Sequence, residues 1–100
     1  ERVAGLLTRT LARPDADAGT LNALAWFAAT QDLHLDEALI AAERAATLEP
    51  KDSNILDTLA EVHFRMGHKD AAIAVMKRAI EISPDDAYLK GQLARFQAGH

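Results

Sequence analysis

The 100-residue chain has no cysteine. This excludes disulfide staples, thiolate metal sites and a cysteine nucleophile, and says nothing about compartment. Only five aromatic residues are present, too few to line a large cofactor pocket. Basic residues are in deficit, with 11 Lys and Arg against 15 Asp and Glu. The resulting net charge of −4 opposes binding to phosphate backbones, so no nucleic-acid partner is expected. Arg2, Arg9 and Arg13 gather on one segment, as on a solvated helix face. No apolar run approaches the ~18 residues of a membrane span, and no leader is visible. Ser-His-Asp order, a glycine-rich phosphate loop and H-E-x-x-H are all missing, so neither catalysis nor a cofactor is expected. The chain opens on Glu1 rather than methionine and reads as a piece of a longer protein.

What is present repeats. Hydrophobic residues make up 49% of the chain, and alanine alone fills about a fifth, a composition suited to closely packed helices. Pro50 and Pro84 are 34 residues apart, and the segments before them align: Ala38 with Ala72, Ala45 with Ala79, Leu48 with Ile82. Upstream, Leu24-Ala25 aligns with Leu59-Ala60, provided one extra residue sits between Gln31 and Leu35. A second extra residue falls between Pro14 and Leu24. Both insertions lie in loops, where they cost little.

Each unit reads as a helical hairpin. Ile55, Leu56, Leu59, Val62 and His63 keep helical spacing, as do Ile73, Met76, Ala79 and Ile80. Gly67 suits the end of one helix and Pro84 follows the next, while Asp52 or Ser53, and Asp85 or Asp86, serve as N-caps. Half-units flank the pair: Arg2–Arg13 as a lone second-type helix and Ala87–Ala98 as a lone first-type helix. The fold expected is all-α, a solenoid of antiparallel hairpins with six helices. It forms one domain divided at 1–14, 15–50, 51–84 and 85–100. The small residues then explain themselves. Where helices cross at ~8–10 Å the contact must be alanine or glycine, which assigns Ala60 against Ala72 and Ala25 against Ala38.

These residues resemble the tetratricopeptide repeat family. Residues 53–86 carry Leu56, Leu59, Ala60, Gly67, Ala72, Ala79 and Pro84 at the family's positions, with His63 and Met76 where aromatics are usual. The first unit matches at Leu24, Ala25, Ala38, Ala45 and Pro50, with Ala28 for the aromatic and Leu33 or Leu35 for the glycine. The stretches N-x-L-A-W and L-D-T-L-A-E-V resemble bacterial repeats appended to larger proteins, in either cytoplasm or periplasm.

The resemblance implies a non-catalytic scaffold holding a protein or peptide partner on a concave face made by the first helices. That face would present Asn22, Trp26 and Thr30, then Asn54, Asp57, Glu61 and Arg65, then Tyr88 and Arg95. The cationic clamp that some family members use for a C-terminal carboxylate is missing, since Asn22, Trp26, Thr58, Tyr88 and Gln92 occupy those places. With Asp57 and Glu61 central, a partner carrying lysine or arginine is expected. Trp26 faces the groove if aligned through Leu24-Ala25 and the hairpin partner if counted back from Pro50; core packing is the ordinary role of a lone tryptophan. Glu61 and Arg65 form an i, i+4 pair of surface type. His34 and His68, at equivalent turns, lie about a helix spacing apart, too far for one zinc ion, and read as polar turn residues with no metal. The competing reading is a structural array that packs on its parent protein or self-associates weakly. Val3, Leu6, Leu7 and Leu11 would form the uncovered edge of the first helix, and Lys90, Gln92, Arg95 and Gln97 a polar cap at the other end.

Overall fold

The computed structural model describes residues 2–99. Six α-helices follow one another: α1 Arg2–Leu11, α2 Ala18–Thr30, α3 Leu35–Leu48, α4 Ser53–Arg65, α5 Lys69–Ile82 and α6 Ala87–Ala98. No strand occurs among the described residues. The hairpins α2–α3 and α4–α5 are the most extensively packed pairs, and α2 lies against α4 and α1 against α3. The result is two layers, α2/α4/α6 and α1/α3/α5.

Local chemistry explains where each helix begins. Asp17, Asp52 and Asp86 each cap one helix of the first layer, their carboxylates accepting from Thr20 N, from Asn54 N and Ile55 N, and from Leu89 N. Each aspartate answers the orphan N–H groups of a first turn, and each follows a proline by two or three residues. The sequence reading offered no cap for α2; Asp17 is that cap.

The hairpin turns share one closure. In α4, Gly67 N–H donates to Phe64 O at 3.0 Å and His68 N–H to His63 O at 2.8 Å, with Gly67 at φ +85°. This is the Schellman pattern, which needs a left-handed residue just past the helix. In α2 the same two bonds run from Asp32 N to Ala29 O and from Leu33 N to Ala28 O, with Asp32 at φ +52°. Asp32, rather than Leu33 or Leu35, therefore fills the glycine position. The inserted residue is His34, itself left-handed at φ +50°.

The small residues are where close packing needs them. Ala25, Ala38, Ala45, Ala60, Ala72 and Ala79 have no exposed surface. Bulk is supplied by Leu7, Leu21, Leu56, Met76, Val62 and Phe96, all fully enclosed.

The N-terminal edge differs from expectation. Leu7 is fully buried, and Val3 and Leu11 pack on the core; only Leu6 of that stripe is exposed, at 43%. Arg44 on α3 secures α1 by donating to Leu11 O, in the last helical turn, and to Arg13 O, just past the helix, at 3.0 and 2.8 Å. The polar cap on α6 is also narrower. Gln92 is buried and Arg95 half-buried against α4, leaving Lys90 and Gln97 exposed.

Candidate functional site

Helices α2, α4 and α6 border a concavity of about 270 Å³ lined by Asn22, Ala23, Trp26, Asn54, Asp57, Thr58 and Tyr88. Asn22, Ala23 and Trp26 come from successive faces of α2 around one turn, Asn54, Asp57 and Thr58 from the matching turn of α4, and Tyr88 from the start of α6. Five of the nine expected residues are thus brought together: Asn22, Trp26, Asn54, Asp57 and Tyr88. Trp26 is half-buried at the rim of this hollow, which decides between its two alignments in favour of the one with the turn insertion. Thr58 and Ala23 are additions. The Thr58 hydroxyl sits 3.4 Å from Asn54 O, one turn back.

The other four expected residues do different work. Thr30 turns its hydroxyl onto its own helix, donating to Trp26 O and Phe27 O at 3.0 and 3.1 Å. Glu61 is 1% exposed and accepts four side-chain hydrogen bonds. Arg95 approaches it with both terminal nitrogens, Nη1 to Oε1 at 3.0 Å and Nη2 to Oε2 at 2.6 Å. Arg65 Nε donates to Oε2 at 2.8 Å, and Gln92 Nε2 to Oε1 at 3.1 Å. The surface ion pair read from sequence is therefore the centre of a buried network. Arg65 reaches further, to Ala29 O and to the Asp32 carboxylate, both at 3.2 Å, and so ties the end of α2 to α4.

Gln92 shows how fully this network is used. Its amide nitrogen donates to Asp57 and Glu61, both at 3.1 Å, while its oxygen accepts from Arg95 Nη1 at 2.7 Å. Two carboxylates and a guanidinium fix that orientation. Arg95 also lies over the Phe64 and Phe96 rings, 5.2 and 5.1 Å from their centroids, and the rings stack at 4.7 Å. A cation held between carboxylate and ring faces is favourable on both sides.

The two carboxylates consequently differ in proton affinity. Burial pushes the Asp57 carboxyl above its ordinary range, and hydrogen bonding from Gln92 and Tyr88 only partly opposes it. Burial also acts on Glu61, but the hydrogen bonds from Arg95 and Arg65 outweigh it and hold the group below the usual value. The Tyr88 phenol is pushed up to about 12 by desolvation and by the neighbouring Asp57 charge. The acidic centre expected of the groove is thus reduced to Asp57, because Glu61 is neutralised from within the chain.

One polar atom in the hollow has no protein partner. Asn22 Oδ1 is enclosed and accepts no hydrogen bond among the described residues. A buried acceptor left unpaired costs about 1–3 kcal/mol, and among the described residues no other buried side-chain nitrogen or oxygen lacks a partner. Among the described residues no three His, Cys, Asp or Glu side chains converge as a metal cage. No helix there is long and apolar enough to cross a membrane.

This two-layer stack of hairpins agrees with a family comparison. The model of the family described as anaphase-promoting complex, cyclosome, subunit 3 matches residues 31–99. The chain belongs to this tetratricopeptide-type repeat family. No curated protein and no solved structure gives a significant match. Tetratricopeptide-type repeats mediate protein–protein interaction and are in general scaffolds rather than enzymes. The match runs from the α2–α3 turn through α6 and so includes Glu61, Gln92 and Arg95 as well as the α4 and α6 walls of the hollow.

Proposed function

We propose that the α2/α4/α6 face binds an extended peptide segment of a protein partner, and that Asn22 is its anchor. The unpaired, enclosed Asn22 Oδ1 carries this reading. A peptide N–H placed there pairs an acceptor that no protein group among the described residues satisfies. Trp26 and Tyr88 stand at the rim, where rigid amphipathic rings contribute contact area at low entropic cost. The volume of about 270 Å³ suits one or two side chains of such a segment, below the ~300–1,000 Å³ usual for small-molecule pockets.

Among the described residues, Asp57 is the only charged one lining the hollow. A lysine or arginine of the partner compensates its lost hydration, whereas a C-terminal carboxylate finds no cation there. The partner segment is therefore basic at one position and independent of a free C-terminus.

The sole tryptophan provides the assay. A peptide array with free and blocked C-termini selects ligands, which are then titrated while Trp26 fluorescence is followed. Asn22→Ala should weaken binding by about 2–10-fold, the worth of one net hydrogen bond, while leaving the urea midpoint unchanged or higher. Ligands that bind the variant equally well, or that require a free acidic C-terminus, refute the reading. A second reading, docking of the array on another domain or a second copy, draws on exposed Leu6 and the shallow depression it shares with Arg2, Gly5 and Arg9. Concentration-dependent sedimentation abolished by Leu6→Glu would favour it.

A further inference from the structure

The α4–α5 turn brings together two imidazoles that sequence spacing gives no reason to pair. His63 lies in the last turn of α4 and His68 immediately precedes α5. The Schellman closure joins them through the His68 N–H to His63 O bond at 2.8 Å. In that motif the side chains at the two bonded positions meet, and the contact is ordinarily apolar. The α2–α3 turn follows the ordinary form, with Ala28 and Leu33 at the same two places. In the α4–α5 turn both places hold histidine, and the Nδ1 atoms face each other at 3.4 Å with ring centroids 5.6 Å apart.

That separation has a chemical meaning. A tetrahedral ion with Zn–N bonds of about 2.05 Å holds two nitrogen ligands about 3.3 Å apart. We propose that His63 and His68 chelate one divalent transition-metal ion of the zinc or copper type through their Nδ1 atoms, at a half-exposed site whose remaining positions take solvent or a partner's donor. His68 is exposed and His63 half-buried, so an ion has access from solvent while one ligand is held firmly.

Ligation requires both rings neutral with the Nδ1 lone pairs directed at the ion. In the metal-free pair one Nδ1 carries a proton and donates to the other. Chelation moves that proton to Nε2 of the same ring, so both Nδ1 lone pairs face the ion and no proton is lost from the neutral pair. The nitrogen donors select against magnesium and calcium, and copper should bind more tightly than zinc. The α2–α3 turn holds no such pair of histidines, because Ala28 and Leu33 occupy the two bonded positions and His34 lies one residue beyond them.

The test is calorimetric titration of the tag-free protein with zinc chloride, with magnesium chloride as control. One saturable zinc site per histidine pair is expected, with a rise in Tm because the metal binds the native turn and not the unfolded chain. His63→Tyr, which restores the residue usual in related repeats, and His68→Ala should each abolish the site with circular dichroism unchanged. His34→Ala should leave it intact. Absence of a zinc site in the parent overturns the proposal, as does zinc binding that survives either His63→Tyr or His68→Ala.

Discussion

Replacing Glu61 with glutamine tests whether the buried network holds α6 in place. The substitution preserves shape but removes the charge that Arg95 and Arg65 share, and it turns an amide N–H₂ toward a guanidinium donor. Removing one partner of a buried ion pair costs about 3–5 kcal/mol. Arg65 and Arg95 retain 27% and 30% of their side-chain exposure, so water takes up part of the lost pairing. The lower end, about 3 kcal/mol, is therefore expected. For a domain of this size that corresponds to a fall in Tm of roughly 12–24 °C. Urea denaturation followed by circular dichroism gives the free energy. A cycle with Arg95→Met, whose side chain can still cover Phe64 and Phe96, gives the coupling: the double variant should lose clearly less than the two single losses added. A change of only about 0.3 kcal/mol in Glu61→Gln, the worth of an exposed i, i+4 pair, would refute the network and return Glu61 to the surface.

Two further outcomes follow from packing and protonation. Ala60→Leu and Ala72→Leu should each cost about 1–3 kcal/mol by overpacking enclosed positions, whereas Lys77→Leu, at an exposed place on α5, should leave the urea midpoint nearly unchanged; equal midpoints for all three contradict close packing at those alanines. Asp57 binds its proton more tightly in the folded state than in the unfolded state, so its contribution to stability falls as pH rises from the ordinary value of 3.8 toward the raised one. Asp57→Asn should therefore gain stability relative to the parent across that interval and hold the gain at neutral pH, and a parent-minus-variant difference independent of pH would refute the raised carboxyl. Glu61 has the opposite sign, its stabilisation being lost as pH falls, and because its charge adds to the rise at Asp57 the comparison reads the two carboxylates as a coupled pair.

The helices, the period and the hairpin architecture were legible because each rests on a residue with a single local meaning: Pro50 and Pro84 after a helix, Gly67 at a left-handed position, alanines at crossings. The groove was legible through Asn22, Trp26, Asn54, Asp57 and Tyr88, since first-helix positions follow from the period. Burial of Glu61 was not. Glu61 and Arg65 give the same i, i+4 pattern whether the pair faces water or protein, and the deciding partners are 31 and 34 residues away. A signal was nevertheless present, because Glu61 and Arg95 are one period apart and opposite charges at equivalent positions of stacked units become neighbours. The His63–His68 pair was missed for another reason. A five-residue spacing matches no helix face, and only the reversal at Gly67 folds one ring back on the other.

The chain of contacts from Asp32 through Arg65, Glu61 and Arg95 to Gln92 and Asp57 runs from the α2–α3 turn across α4 and α6 without interruption. Repeat arrays are often treated as beads whose terminal unit can be exchanged at will, with stability summed from neighbour to neighbour. This array does not have that freedom where α6 meets α4. A unit grafted after Pro84 that lacks an amide at position 92 and a guanidinium at position 95 would take the Gln92 bond from Asp57 and leave Glu61 with Arg65 alone. Extending or swapping the array is thus a problem of matching a hydrogen-bond socket, and a consensus helix with the right apolar face would not fit it.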